Sequence, residues 1–203
     1  MPKPRLSREE SRRQTRDRLL AAAAQVFAEQ GFNGASVDAI AEAAGYSKGA
    51  VYSNFDSKED LFLALIDQQL DAELQRLGGH IDLDTWRTDF QDALHQNRTL
   101  NLLTVEFFLY AMRNESAREK LAQRYRSGRA ILAEVLSSHY AAAEQPMPFP
   151  PMHLAWAVTA IGTGLFIETC IDPEGLPEDL YILALKRLLY GAECPNPSTA
   201  TAP

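Results

Sequence analysis

The sequence predicts an all-α protein of nine helices, in one large domain or two small ones. Nearly every segment repeats its apolar residues at the three-to-four spacing of a helix, and no stretch alternates apolar and polar residues between hairpin turns. Stretches rich in glycine and proline punctuate the periodic runs. With 203 residues, 46% of them hydrophobic, the chain can bury a substantial core.

The first helix runs from about Arg8 to Gln30, where Leu19, Ala22, Ala23, Val26 and Phe27 make one apolar stripe, and Gly31 ends it. Two short helices follow, about Val37 to Ala44 and Lys48 to Phe55. A long helix from Lys58 to about Leu77 buries Leu61, Phe62, Leu65, Ile66, Leu70 and Leu74. Ser57 caps it, with Asp60 in the capping-box position. After Gly78 and Gly79 the helical pattern resumes near Asp84 and continues to Met112, interrupted near Asn97 to Thr99. A further helix spans about Glu115 to Tyr140.

The run Glu144-Gln-Pro-Met-Pro-Phe-Pro-Pro151 then stops all helicity, because its prolines remove donors and fix the backbone. The eighth helix covers about Met152 to Ile171, and the ninth opens with Pro177 and two acidic residues and closes at Gly191. Residues 194–203 are a Pro/Ser/Thr/Ala tail expected to be disordered.

The net charge of −7 hides an asymmetry. Residues 1–58 hold nine Lys/Arg against seven Asp/Glu, and the remainder eleven against twenty. The first eighteen residues are the most basic, with Lys3, Arg5, Arg8, Arg12, Arg13, Arg16 and Arg18. A basic arm on an acidic body suits a protein that meets phosphate with one end only. Cys170 and Cys194 lack metal-ligand spacing, so neither a zinc site nor a disulfide is expected, and Cys170 is expected to be buried. No apolar run is read as reaching the ~18 residues of a membrane span, and the charged N-terminus is unlike a signal peptide. These features set the expectation of a cytoplasmic protein without membrane contact.

Function is concentrated in residues 36–58. Ser36 can cap the first short helix, whose inner face is Val37, Ile40, Ala41 and Ala44, and Gly45 supplies the turn. Ser47 caps the second, on which Val51 and Phe55 face inward at i and i+4. Lys48, Gly49, Ala50, Tyr52 and Ser53 are left pointing away from this small core, on the turns where a recognition helix meets base edges. Gly49 and Ala50 allow close approach, Lys48 can reach a guanine edge or a phosphate, and Asn54 and Lys58 lie where the flanking backbone should pass. The start of the long helix also offers free amides to phosphate.

Here the sequence resembles the tetracycline-repressor (TetR) family of bacterial regulators. The family pattern Ser/Thr-Val-x-x-Ile-Ala-x-x-Ala-Gly-x-Ser-x-Gly-x-Val/Leu-Tyr-x-x-Phe-x-x-Lys-x-x-Leu is matched throughout by residues 36–61. Asn54 departs from the His or Tyr usual there. The resemblance implies a homodimer with an effector pocket in each C-terminal domain.

The rest of the chain shows no catalytic constellation: His80, His95, His139 and His153 are scattered, and neither a nucleophile elbow nor a phosphate loop is present. No enzyme, cofactor or metal is expected. Trp86, Phe90, Phe107, Phe108, Tyr110, Tyr125, Trp156 and Phe166 are either core or the lining of a pocket between helices, with Arg98, Glu106 and Thr163 as polar groups to orient a ligand. Glu106 stands in an apolar run, so it either pairs with an arginine such as Arg113 or faces a cavity.

Ala157, Ala160, Ile161, Gly164 and Leu165, with Leu180, Leu183, Ala184, Leu188 and Leu189, offer two surfaces for a symmetric partner. The expected organisation is a DNA-binding domain over 1–57, an effector-binding and dimerisation domain over 58–193, and the tail. The function expected is a repressor that binds a palindromic operator in double-stranded DNA as a homodimer and is released by a small-molecule effector. Exposed Lys48 and Tyr52 beside the basic arm argue against a helical carrier or enzyme without DNA binding, and a regulator that answers to a protein partner is the other alternative.

Overall fold

The computed structural model describes residues 7–77, 98–177 and 179–191. These residues form eight helices and no strand: α1 (Arg8–Gly34), α2 (Val37–Ala44), α3 (Lys48–Tyr52), α4 (Lys58–Leu77), α5 (Arg98–Arg113), α6 (Glu115–Ala142), α7 (Pro151–Ile171) and α8 (Leu180–Tyr190). The all-α expectation holds. The element expected from Asp84 toward Asn97 and the tail 194–203 lie outside the described residues. The recognition segment is shorter than expected: α3 ends at Tyr52, with Ser53 at its C-terminal cap.

The chain divides into two compact units. The first takes the chain as far as Ala72 together with Leu102–Arg118, so it extends beyond residue 57 and enlists most of α5. The second holds the chain from Glu119 onward and the piece of α5 before Leu102.

In the first unit, Ser7 opens α1 with a capping box: its hydroxyl accepts the Glu10 N–H, and the Glu10 carboxylate accepts the Ser7 N–H at 2.7 Å. Gly31, at φ 71°, breaks the helical geometry of α1 one turn before its end, a conformation only glycine adopts without strain. The core beyond the break is aromatic. Phe32 packs edge-on against Phe62 (5.2 Å) and Phe107 (4.9 Å), Phe27 meets Phe62 at 5.2 Å, and Tyr110 lies 4.9 Å from Phe32. Such pairs contribute about 0.5–1.5 kcal/mol each beyond their buried area. Leu61, Phe62, Leu63, Ala64 and Leu65 are all buried, so α4 is enclosed on every side in this stretch. A Phe62→Ala change would cost about 3–5 kcal/mol.

In the second unit, Leu136 and Tyr140 of α6, Leu154, Ala155 and Val158 of α7, and Ile182, Leu185 and Leu189 of α8 form one core cluster. The Tyr140 hydroxyl donates to the Leu189 carbonyl, fastening α6 to the end of α8, and burial pushes its pKa up. Pro151 occupies the first turn of α7, where the missing N–H costs nothing. Cys170 is only half-buried, because it lies beside the outward side of α7 near the helix end.

The membrane expectation requires a correction. By length and composition alone α7 is apolar enough to cross a bilayer, because its scattered His, Thr and Glu do not break the apolar majority. Only 22% of its most apolar window is buried in this chain.

Candidate nucleic-acid interface

The α2–turn–α3 pair is built from local rules. The Ser36 hydroxyl accepts the Ala39 N–H at 3.1 Å, and the Ser47 hydroxyl accepts the Ala50 N–H at 3.2 Å. Gly45, in the left-handed conformation at φ 70° and ψ 30°, ends α2 and turns the chain. Ile40 and Ala41 of α2 and Val51 and Phe55 around α3 are buried together with α1, while Lys48, Gly49, Tyr52 and Ser53 are exposed. Tyr52 keeps 48% of its surface free. Gly49 is not demanded by packing, since a Cβ there would meet nothing nearer than the Ser47 hydroxyl at 3.8 Å.

Two contacts lock this pair onto α1. Arg16 donates to the Asn54 carbonyl at 2.9 Å while its guanidinium lies 4.2 Å from the centre of the Phe55 ring. Tyr46, in the turn, is bonded to Thr15, which holds its hydroxyl below the usual tyrosine range, with Arg18 adding to the effect. Asn54 itself donates to the Ala50 carbonyl at 2.8 Å, so its amide closes α3.

The Lys48 ammonium is paired with Asp38 at 2.7 Å, and the hydrogen bond to that carboxylate raises its pKa. Both side chains are more than half exposed, so the pair is worth little to stability.

Lys58 is engaged within its own chain. Its ammonium donates to the Phe32 carbonyl at 2.8 Å and the Ala35 carbonyl at 3.0 Å, and sits 4.6 Å from the centre of the Phe32 ring. Burial lowers its pKa. A lysine stem long enough to reach phosphate is also long enough to fold back onto the carbonyls left open where α1 ends.

The described ligand candidates are divided between the two units. Trp86 and Phe90 lie outside the described residues. Phe107 and Tyr110 belong to the aromatic core of the first unit, and the Tyr110 hydroxyl donates to Glu59 at 2.6 Å. Among the described residues Glu106 is not paired with Arg113; it accepts the Phe32 N–H at 2.8 Å, beside Gly31. The break in α1 strips that amide of its helical acceptor, and the carboxylate replaces it.

Tyr125, Trp156, Thr163 and Phe166 stand on α6 and α7 of the second unit. Tyr125 is bonded to Thr163, while burial raises its pKa. Arg98 is exposed at the start of α5, where its charge opposes the rise that burial gives the Cys170 thiol.

Comparison with known proteins matches residues 19–65 to bacterial regulatory proteins of the tetR family and residues 86–191 to the C-terminal region of BetI-type transcriptional repressors. The chain belongs to the TetR family.

Among TetR-type relatives, the regulator UidR of Escherichia coli is 32% identical over 115 residues, 55% of this chain and 59% of UidR. The chain thus aligns with less than two thirds of that relative's length. The transcriptional activator FasR of Mycolicibacterium smegmatis is 43% identical over 67 residues, 33% of this chain and 29% of FasR. The solved structure of Salmonella enterica GusR superposes with a TM-score of 0.67 at 25% identity, covering 87% of this chain and 95% of GusR. UidR and FasR are transcriptional regulators, and the fold expected from the sequence is that of GusR.

For a TetR-type chain, the residues that sequence reasoning passed over are Asp38, which occupies Lys48, and Arg129, 7% exposed on α6. Arg129 follows Tyr125 by one helical turn, a spacing visible in the sequence but silent about burial.

Proposed function

We propose that this protein is a dimeric transcriptional repressor that grips operator DNA through α3 and is released by a small-molecule effector. The observation that carries this is the set of exposed residues Lys48, Gly49, Tyr52 and Ser53, with Ala50 beside them, on a helix pair whose caps and core are otherwise complete. An exposed glycine that packing does not require is costly in a helix and useful where a backbone approaches bases. TetR-family regulators bind operator DNA and dimerise.

The dimer surface is assigned to the outer faces of α7 and α8. Ala160 and Gly164 are exposed and a Cβ at Gly164 would meet nothing within 4 Å, so a second helix has room to come close. Ala157, Ile161 and Leu165 flank them half-buried, and Leu180, Leu183 and Ala184 continue the surface on α8. Leu188 packs partly against the core of its own unit and so contributes less. Burial between two copies accounts for the exposed apolar character of α7 better than a membrane does, and the protein acts in the cytoplasm where its DNA is.

The test is a selection of genomic fragments bound by the purified protein, followed by transcription from a recovered promoter. A palindrome with half-sites about one DNA turn apart, and transcription that falls on adding the protein, is the expected result. Transcription that rises instead makes the protein an activator, and binding without a symmetric site overturns the dimeric reading.

A further inference from the structure

Arg129 is the one charged side chain among the described residues that is more than nine-tenths buried. Its guanidinium lies 3.6 Å from the centre of the Trp156 ring and 5.6 Å from that of Tyr125. Among the described residues it has no carboxylate and no hydrogen-bond acceptor. Ring faces attract a cation, but they leave the planar fork of five N–H donors unfilled. A buried cation without an anion is expensive, and proteins keep one where an anion arrives.

The surroundings suit a small molecule. Tyr125 and Arg129 stand one turn apart on α6, Trp156 and Thr163 stand two turns apart on α7, and Tyr125 bonded to Thr163 closes one side. Trp156 is 53% exposed in a single copy, on the stripe of α7 shared with Ala160 and Gly164, and its inner side is the wall that Arg129 lies against. An open groove of about 560 Å³ lies between the same two helices, lined by Ala130, Ala133, Ser137, Ser138 and Met152, with the exposed carboxylate of Glu134 as its one charged group. It begins next to Arg129 on one helix and one turn before Trp156 on the other, giving room to the uncharged body of a ligand.

We infer that Arg129 is the anchor of an effector site that takes a small organic acid, its carboxylate forked by the guanidinium and its apolar body lying along Trp156. The inference rests on the effector-released reading above and names the class of effector. A carboxylate from a second copy is the rival source of the anion. It is disfavoured because the Trp156 ring covers the Arg129 guanidinium at 3.6 Å, and the exposed α7 stripe of Met152, Trp156, Ala160 and Gly164 reaches an acid only at Glu168, far along the helix from Trp156.

The test titrates the full-length protein by calorimetry with benzoate and hexanoate, and with benzamide and hexanamide as matched neutral probes, at constant ionic strength. At least one acid should bind at least about tenfold more tightly than its amide, because only the anion makes two charge-assisted bonds to the fork. Arg129→Met should erase that preference, and Arg129→Lys, which keeps charge but not the fork, should restore only part of it. Thermal melts establish that both variants fold. Equal binding of acid and amide, no saturable binding of either acid, or unchanged acid affinity in Arg129→Met each overturn the inference. Dissociation of the dimer in Arg129→Met with acid binding intact also overturns it, in favour of the second copy. Operator affinity measured alongside separates the two readings. Acid binding through Arg129 that leaves DNA affinity unchanged sinks the effector-release reading alone, whereas operator release by neutral compounds only sinks this inference alone.

Discussion

Glu106 of α5 accepts the amide N–H of Phe32 across 74 residues of chain, at 2.8 Å, where α1 breaks at Gly31. Removing the acceptor leaves a part-buried donor unsatisfied beside an aromatic core. Glu106→Leu should lower stability by about 1–3 kcal/mol, and Glu106→Gln, which keeps an acceptor oxygen, should recover most of the loss. Urea unfolding at an unchanged m-value is the measurement, and a Leu variant as stable as the parent would show that the bond is incidental.

Lys48→Ala and Tyr52→Ala should each weaken operator binding by about 1–3 kcal/mol per half-site while leaving the melting temperature unchanged, because both side chains are exposed. Asp38→Asn should act in the opposite direction, freeing Lys48 and removing a negative charge from the DNA-facing side. Fluorescence anisotropy with one labelled duplex at a fixed salt concentration compares all three. If Asp38→Asn binds more weakly than the parent, the carboxylate positions Lys48 instead of competing for it.

Gly164→Arg should break the dimer by placing a bulky charge in the open space beside Gly164, and operator affinity should fall with it. Sedimentation of an intact dimer would move the interface away from α7.

Tyr110 gives a pH signature. Its hydrogen bond to Glu59 holds the phenol pKa above its ordinary value, so the stability it contributes is complete below about pH 10 and is lost as pH rises through the folded-state pKa. The stability difference between the parent and Tyr110→Phe should therefore narrow above about pH 10. A gap that stays constant from neutral to alkaline pH would mean that the bond to Glu59 contributes no linkage.

Effector release implies reciprocity. Any ligand that lowers operator affinity must lose its own affinity by the same factor when operator is saturating, a coupling of typically ~1–3 kcal/mol. Paired titrations, ligand with and without duplex and duplex with and without ligand, check the equality. A ligand that binds while neither affinity changes would favour a regulator that answers to a protein partner.

The helix pair was legible because its determinants are local: caps at Ser36 and Ser47, a turn at Gly45, and inward residues one turn apart. The contacts of Lys58 were not legible because the same stem that can reach phosphate also reaches the carbonyls of Phe32 and Ala35 at the C-terminal end of α1, and that meeting is between segments distant in the chain. Phe107 and Tyr110 could be assigned to core or pocket only once Phe32 and Phe62 were seen against them. Leu63 escaped the stripe on α4 because an enclosed helix has no polar face to set the period. Arg129 was invisible because arginine in a sequence reads as surface, and its burial is a property of α6 and α7 together.

The Arg16 strut, running from α1 to the Asn54 carbonyl and the Phe55 ring, has a mechanical consequence. With Tyr46 pinned to the same helix, the reading surface is cast as a single tooth whose profile α1 holds fixed. On the proposed reading, a ligand therefore has no shape to remodel there. What it can alter is the pitch between two identical teeth, as in a gear that stops meshing once its spacing no longer matches the groove of the double helix.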